Sequence, residues 1–126
     1  MERVYDPRRF LDLANDLLND GDYERESRAR TAIGRAYYAA FLIARQKLRE
    51  KGVRIPESSE IHRIVIQTFM EKGLSMIGNP LNQLREKRVD ADYHMESNIT
   101  VSLGQKCAKL SEYVIQLIEG IKDLRP

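Results

Sequence analysis

Apolar residues recur along this chain at steps of three and four, and no stretch shows the alternation that marks a strand, so the pattern predicts an all-α fold. Asp6 followed by Pro7 reads as an N-cap with proline at the first helical position, and Phe10, Leu13, Ala14, Leu17 and Leu18 form an apolar face ending near Gly21. A long second helix is expected from about Tyr23 to Lys51, stopped by Gly52. Its core face is Ala29, Ile33, Ala36, Tyr37, Ala40, Ala44 and Leu48, small enough for another helix to come close. After a loop over Val53 to Glu57, Ser58 or Ser59 is expected to cap a third helix with Ile61, Ile64, Val65, Thr68 and Phe69 on one side. Gly73 and a Gly78-Asn79-Pro80 turn separate it from a fourth helix, in which Ile77, Leu81, Leu84, Arg88 and Ala91 share a face. Asn98 or Ser97 is expected to cap a last helix with an unbroken stripe of Leu103, Cys107, Leu110, Val114, Leu117 and Ile121.

A length of 126 residues fits one domain, spanning 1–126, with a single core. No internal repeat, low-complexity tract or dividing linker interrupts it. With 32% charged residues, a mean hydropathy of −0.51 and no long apolar run, the sequence carries no membrane span. No basic leader precedes an apolar segment, so the cytoplasm is the expected setting. The single cysteine, Cys107, lies on an apolar helical face and reads as a small core residue.

A net charge of +2 says little about partners, but its distribution is uneven. Residues 28–54 hold eight basic groups (Arg28, Arg30, Arg35, Arg45, Lys47, Arg49, Lys51, Arg54) against one acid, whereas residues 1–27 hold eight acids and four bases. Two neighbouring helices that neutralise each other would explain this, and so would a basic surface for nucleic acid or an acidic partner. The long helix also has a second stripe, Arg35, Tyr38, Leu42, Arg45 and Arg49. It can serve as a subunit contact, as a ligand lining, or as a second core face with arginines reaching out at its edges.

Arg88 occupies a position where helical geometry calls for an apolar side chain. A guanidinium cannot lose its proton, so burying it calls for a carboxylate, a carbonyl or an anionic ligand. Asp92 stands one turn on, and His94 follows. Either Arg88 is an edge residue paired with Asp92, or Arg88 and His94 converge on an anion. His62, near the start of the third helix, reads as a packed residue or as a ligand contact.

Other chemistry lacks support. Gly73 and Gly78 have the spacing of a phosphate loop, but Asn79-Pro80 stands where Lys and Ser/Thr are required. Two histidines and one cysteine give no zinc spacing, and Asp90, Asp92 and Glu96 fall short of a full oxygen cage, so no metal and no cofactor are expected. Nothing surrounds Cys107 or any serine with the partners of a nucleophile.

Three segments together, Arg35-Ala36-Tyr37-Tyr38-Ala39-Ala40-Phe41, Ser59-Glu60-Ile61-His62 and Leu84 through Arg88-Val89-Asp90-Ala91-Asp92-Tyr93, resemble the small stand-alone HEPN (higher eukaryotes and prokaryotes nucleotide-binding) proteins of prokaryotes, over roughly residues 8–122. The resemblance implies an up-and-down bundle of four main helices plus a short additional one. It also implies a homodimer, often encoded beside a small nucleotidyltransferase as a toxin and antitoxin pair. Many members are metal-independent ribonucleases whose signature is an arginine, a polar residue and then a histidine. Arg88 and His94 match that spacing, but Val89 stands where the polar residue is usual. By this resemblance Arg88 and His94 are the catalytic candidates. Arg35, Tyr38, Arg45, Arg49, Asp92 and Tyr93 are the candidates for binding nucleotide or RNA. The same cleft would also suit a non-catalytic module that binds a nucleotide or a nucleotidyltransferase, and a plain helical interaction protein is the third reading.

Overall fold

The computed structural model describes residues 3–124, and among them it contains five α-helices and no strand. They are α1 (Arg8–Asn19), α2 (Arg25–Glu50), α3 (Ile61–Glu71), α4 (Ser75–Tyr93) and α5 (Val101–Glu119). The first helix starts at Arg8 with Pro7 at the cap position, one residue later than the sequence pattern places it. The Asp6 carboxylate accepts the Arg8 N–H at 3.0 Å, and Pro7, at φ −62°, fills a position whose N–H would have no helical partner. At the end of α2, Gly52 adopts φ +86°, which lets its own N–H reach the Arg49 carbonyl and the Val53 N–H reach the Leu48 carbonyl.

The other four helix starts depart from the sequence pattern as well. The second helix begins at Arg25 rather than Tyr23, because the Glu24 carboxylate caps it by accepting the Glu26 and Ser27 N–H groups. Ser58 accepts the Glu60 N–H at 3.2 Å in the turn ahead of α3, and no side chain caps α3 itself. Gly78-Asn79-Pro80 is not a turn but lies inside α4. Gly78 is used there for close approach: a Cβ would sit 2.5 Å from the Met70 sulfur, and this α3–α4 packing outweighs the one helical hydrogen bond that Pro80 cannot make. The cap of α5 is Thr100, whose hydroxyl accepts the Leu103 N–H at 3.1 Å, rather than Asn98 or Ser97.

Contacts between helix ends define the topology. Arg28, early in α2, donates to the carbonyls of Leu17 and Leu18 at the end of α1, and Arg30 reaches the end of α4. α2 therefore runs antiparallel to both. Arg8, at the start of α1, pairs with Glu119, at the end of α5, at 2.8 Å. The four longer helices thus alternate up and down, and the shorter α3 packs on α4 and α2.

The 26-residue α2 is the central element, because its alanines admit neighbours on several sides. Ala29, Ala36, Ala39, Ala40 and Ala44 are fully buried, as are Ile33, Tyr37 and Leu48. Across from them lie Phe69 and Val65 of α3, Leu81 and Leu84 of α4, and Val114 and Ile118 of α5. Buried Ser111 donates its hydroxyl to the Ala36 carbonyl at 2.7 Å, so this polar side chain of the core is satisfied. Cys107 is a core residue, its thiol pushed up to about 11 by burial. No helix among the described residues is long and apolar enough to cross a membrane.

The α1–α5 contact sets a sharp limit on volume. A Cβ on Gly104 would meet Leu18 Cδ2 at 2.6 Å, with the Ala29 Cα 3.7 Å away. Gly104→Val is therefore expected to destabilise the fold by about 1–3 kcal/mol through overpacking, despite glycine's poor helix propensity. Thermal unfolding of the variant checks this, and an unchanged or higher melting temperature would contradict it.

Candidate anion-binding site

A groove between α2 and α4 is lined by Arg30, Gly34, Arg35, Ala91 and Asp92, and three helices gather cations and aromatic rings beside it. The second stripe of α2 provides Arg35, Tyr38 and Arg45, α3 provides His62, and α4 provides Arg85, Arg88, Asp92 and Tyr93. Arg85, Arg88 and Asp92 follow one another at steps of three and four, so they share a face of α4.

Tyr38 is the hub of this arrangement. The Arg35 guanidinium lies 5.3 Å from its ring centre and the Arg88 guanidinium 5.2 Å, while the His62 ring sits edge-on at 5.8 Å. Arg88 also lies 5.6 Å from the Tyr93 ring, so two tyrosines flank one cation. Each such contact contributes roughly 0.5–2 kcal/mol, depending on desolvation.

Arg88 is only 19% exposed, and its Nε stands 2.9 Å from the Asp92 carboxylate. The Nε–H is not aimed at that oxygen, and this buried nitrogen has no hydrogen-bond acceptor among the described residues. The contact is an ion pair without a formed hydrogen bond. A pair one turn apart on a helix is worth about 0.5 kcal/mol, too little to offset the desolvation of a guanidinium. The rings hold Arg88 in place, and its hydrogen-bonding capacity is left under-used. Nε itself is buried against Asp92, so the terminal nitrogens, which make no hydrogen bond among the described residues, are the groups that could meet an anion.

His62 is more tightly held than its sequence position foretold. Its Nδ1 is 2.6 Å from the hydroxyl of buried Tyr37, and its ring stacks on Phe41 at 4.3 Å. That hydroxyl has no other hydrogen-bond partner among the described residues, so the arrangement that strands no buried O–H has Tyr37 donating to Nδ1. The other ring nitrogen, Nε2, then carries the imidazole N–H. Burial, followed by the positive charges of Arg85, Arg88 and Arg45, holds His62 below the ordinary histidine value.

His94 lies at the C-terminal end of α4, with its side chain about half exposed. Its Nδ1 is 2.8 Å from Asp90 Oδ1, one turn back. A carboxylate that holds Nδ1–H leaves Nε2 free to accept a proton, the arrangement a general base needs. No hydrogen bond, ion pair or ring contact among the described residues joins His94 to Arg88 within the chain. With Asp90 turned to His94 and Asp92 to Arg88, no cluster of three metal-ligating side chains forms among the described residues.

The remaining arginines divide between the groove and the scaffold. Arg35 also lies 5.0 Å from the Phe10 ring, which ties α1 to the groove. Arg45 stands 3.7 Å from Glu57. Arg49 is spent on the loop after α2, donating to the Ile55 carbonyl and to Glu57, both at 2.8 Å. Arg28 and Arg30 cap helix ends. Arg30 donates to the carbonyls of Ala91 at 2.9 Å and Ser97 at 2.9 Å, and to those of Asp90, His94 and Met95 at 3.2–3.4 Å. Its Nε pairs with Glu26 at 2.9 Å. The basic segment is therefore partly internal. The free carbonyls at a helix C-terminus form its negative pole, and a guanidinium fork answers several of them at once.

Arg85, beside the cluster, and Arg30, which braces the end of α4, are residues that the sequence pattern did not single out for these positions. Arg85 had a signal, since it lies three residues before Arg88. Arg30 had none, because its partners are backbone carbonyls far along the chain.

The family model for the HEPN domain matches residues 6–121. The chain is also 29% identical, over 134 aligned residues, to an uncharacterized protein of Methanocaldococcus jannaschii, covering 93% of this chain and 81% of that one. With a five-helix architecture and a family match over nearly its whole length, the chain belongs to the HEPN domain family.

Proposed function

We propose that this HEPN-domain protein is a metal-independent endoribonuclease, the toxin component of a pair whose antitoxin is a small nucleotidyltransferase, acting as a homodimer in the cytoplasm. The observation that carries this reading is the end of α4, where the Asp90–His94 pair follows an arginine held between two tyrosines and paired with Asp92. His94 Nε2 would take the proton of a ribose 2′-hydroxyl. The 2′-oxygen then bonds to phosphorus, and the bond to the 5′-oxygen breaks. That oxygen takes a proton from solvent, leaving a 2′,3′-cyclic phosphate and a 5′-hydroxyl. Arg88 would hold the negative charge that grows on the non-bridging oxygens. A two-fold dimer would bring two copies of each pair to one cleft.

The test is RNA cleavage by the purified chain in excess EDTA. Cleavage that persists with the chelator and disappears in His94→Ala is the expected result; no cleavage under any condition overturns the enzymatic reading. A second reading, a non-catalytic module that binds a nucleotide or a nucleotidyltransferase, is favoured by Val89 and by the lack of contact between Arg88 and His94 within one chain. Nucleotide binding lost in Arg88→Ala, without any cleavage, would support it.

The dimer is expected to use the second stripe of α2, where half-buried Leu42 and Tyr38 extend the core toward the surface. Leu42→Asp should weaken self-association while preserving helix content. Sedimentation of the unaltered chain as a monomer at tens of micromolar would contradict this.

A further inference from the structure

The groove contains a titratable group that the cleavage chemistry leaves unused. His62 lies among Tyr37, Tyr38 and Arg45 of α2 and Arg85 and Arg88 of α4, with Glu60 and Arg63 beside it on its own segment. Glu60 is engaged by Arg63 at 2.7 Å, and the ion pair of Arg45 among the described residues is the 3.7 Å contact with Glu57. Arg85 has no salt bridge among the described residues. The stack on Phe41 and the hydrogen bond from Tyr37 fix the ring at two points, with its Nε2–H as the remaining polar group. A fixed neutral donor beside three cations is suited to a phosphate oxygen.

We propose that His62 is a phosphate contact of this groove, donating Nε2–H to a phosphodiester oxygen beside Arg45, Arg85 and Arg88, and that anion binding there is coupled to uptake of one proton by the ring. The proposal rests on the phosphate reading of the groove. The coupling follows from charge. In the free protein burial, and after it the arginines, disfavour an imidazolium. A bound phosphodiester offsets the arginines' field, so the bound state favours it. The proton arrives from solvent at Nδ1, and the Tyr37 hydroxyl turns to accept from the new N–H, which leaves its own O–H without a partner among the described residues, a cost that the charge of the bound anion has to exceed. Because the ring binds a proton more tightly in the complex than in the free protein, affinity is greatest below the free protein's depressed value and is lost as pH rises through the raised value of the complex.

His62 and His94 are the two histidines of the chain, so His94→Gln leaves one imidazole to follow by NMR. The probe is a 2′-O-methyluridine hexanucleotide, which cannot be cleaved by 2′-oxygen attack and has no group that titrates between about pH 5 and 8. At constant ionic strength, saturating probe is expected to raise the His62 titration midpoint. Affinity should be at least three-fold tighter at pH 5.5 than at pH 7.5, and His62→Gln should flatten that dependence. The midpoint measurement needs no substitution at His62, so a folding defect in the Gln variant does not block the test. Probe binding that Arg88→Ala abolishes, with the His62 midpoint unmoved or lowered, overturns the proposal and leaves the phosphate reading intact. No probe binding at either pH overturns both.

Discussion

Arg88→Ala is expected to reduce RNA cleavage by about 10²–10³-fold, the usual consequence of removing one preorganised stabiliser of transition-state charge. Helix content should stay close to that of the unaltered chain, because the substitution removes two ring stacks and an ion pair and leaves the apolar core intact. Arg88→Lys sharpens the test. Lysine keeps the charge but loses the planar fork and the stacking face, so it should recover only part of the activity. Initial rates on a single RNA substrate, compared with the melting temperature of each variant, separate the possibilities. A lower melting temperature with undiminished cleavage would show that Arg88 serves only the fold.

A second large effect is expected at Arg30. Removing this guanidinium strands several carbonyls at the end of α4 and in the turn beyond it, where Arg30 itself is only 14% exposed. Losing hydrogen bonds to a charged group typically costs roughly 1.5–3 kcal/mol. Arg30→Ala should therefore lower the melting temperature by several degrees. It should also loosen the segment that carries His94 and Asp90, so cleavage falls more steeply than global stability explains. Hydrogen exchange gives the direct readout: the His94 amide, which donates to the Asp90 carbonyl, should lose protection well before the amides of α5. Unchanged protection in the variant would count against this role for Arg30.

What could be read from the sequence follows the range of the interactions involved. Part of the α5 stripe, buried Cys107 and Val114, and the start of α1 to within a residue were legible because helix periodicity and capping operate within a few residues, whereas Leu103, Leu110 and Leu117 are only partly buried and Ile121 lies beyond the helix. The Arg88–Asp92 pair was legible for the same reason, one turn separating the partners. The start of α4 was not. Gly-Asn-Pro is strong turn chemistry locally, and it is overridden by the close packing of Gly78 on Met70, a contact between two helices. The local pattern misplaces the cap of α5 by a few residues because Ser97, Asn98 and Thr100 are all good capping residues, and only the path of the chain selects Thr100. In the groove, the Tyr37–His62 hydrogen bond spans 25 residues and links two separately periodic helices, so no local pattern announces it. Arg49 matches a nucleic-acid stripe in spacing, yet the loop that follows claims its guanidinium.

The crowded meeting of Gly104 with Leu18 has a consequence for how this sequence can change over generations. The two residues compete for one volume, since a methyl group on the first would lie 2.6 Å from the terminal carbon of the second. Their substitutions are therefore epistatic, and the order in which they occur matters. Leu18→Val first opens a small void at a cost of about 1 kcal/mol, into which Gly104→Ala can then fit while gaining helix propensity. The reverse order passes through an overpacked intermediate. Drift at this junction should run in one direction: the leucine shrinks before the glycine grows.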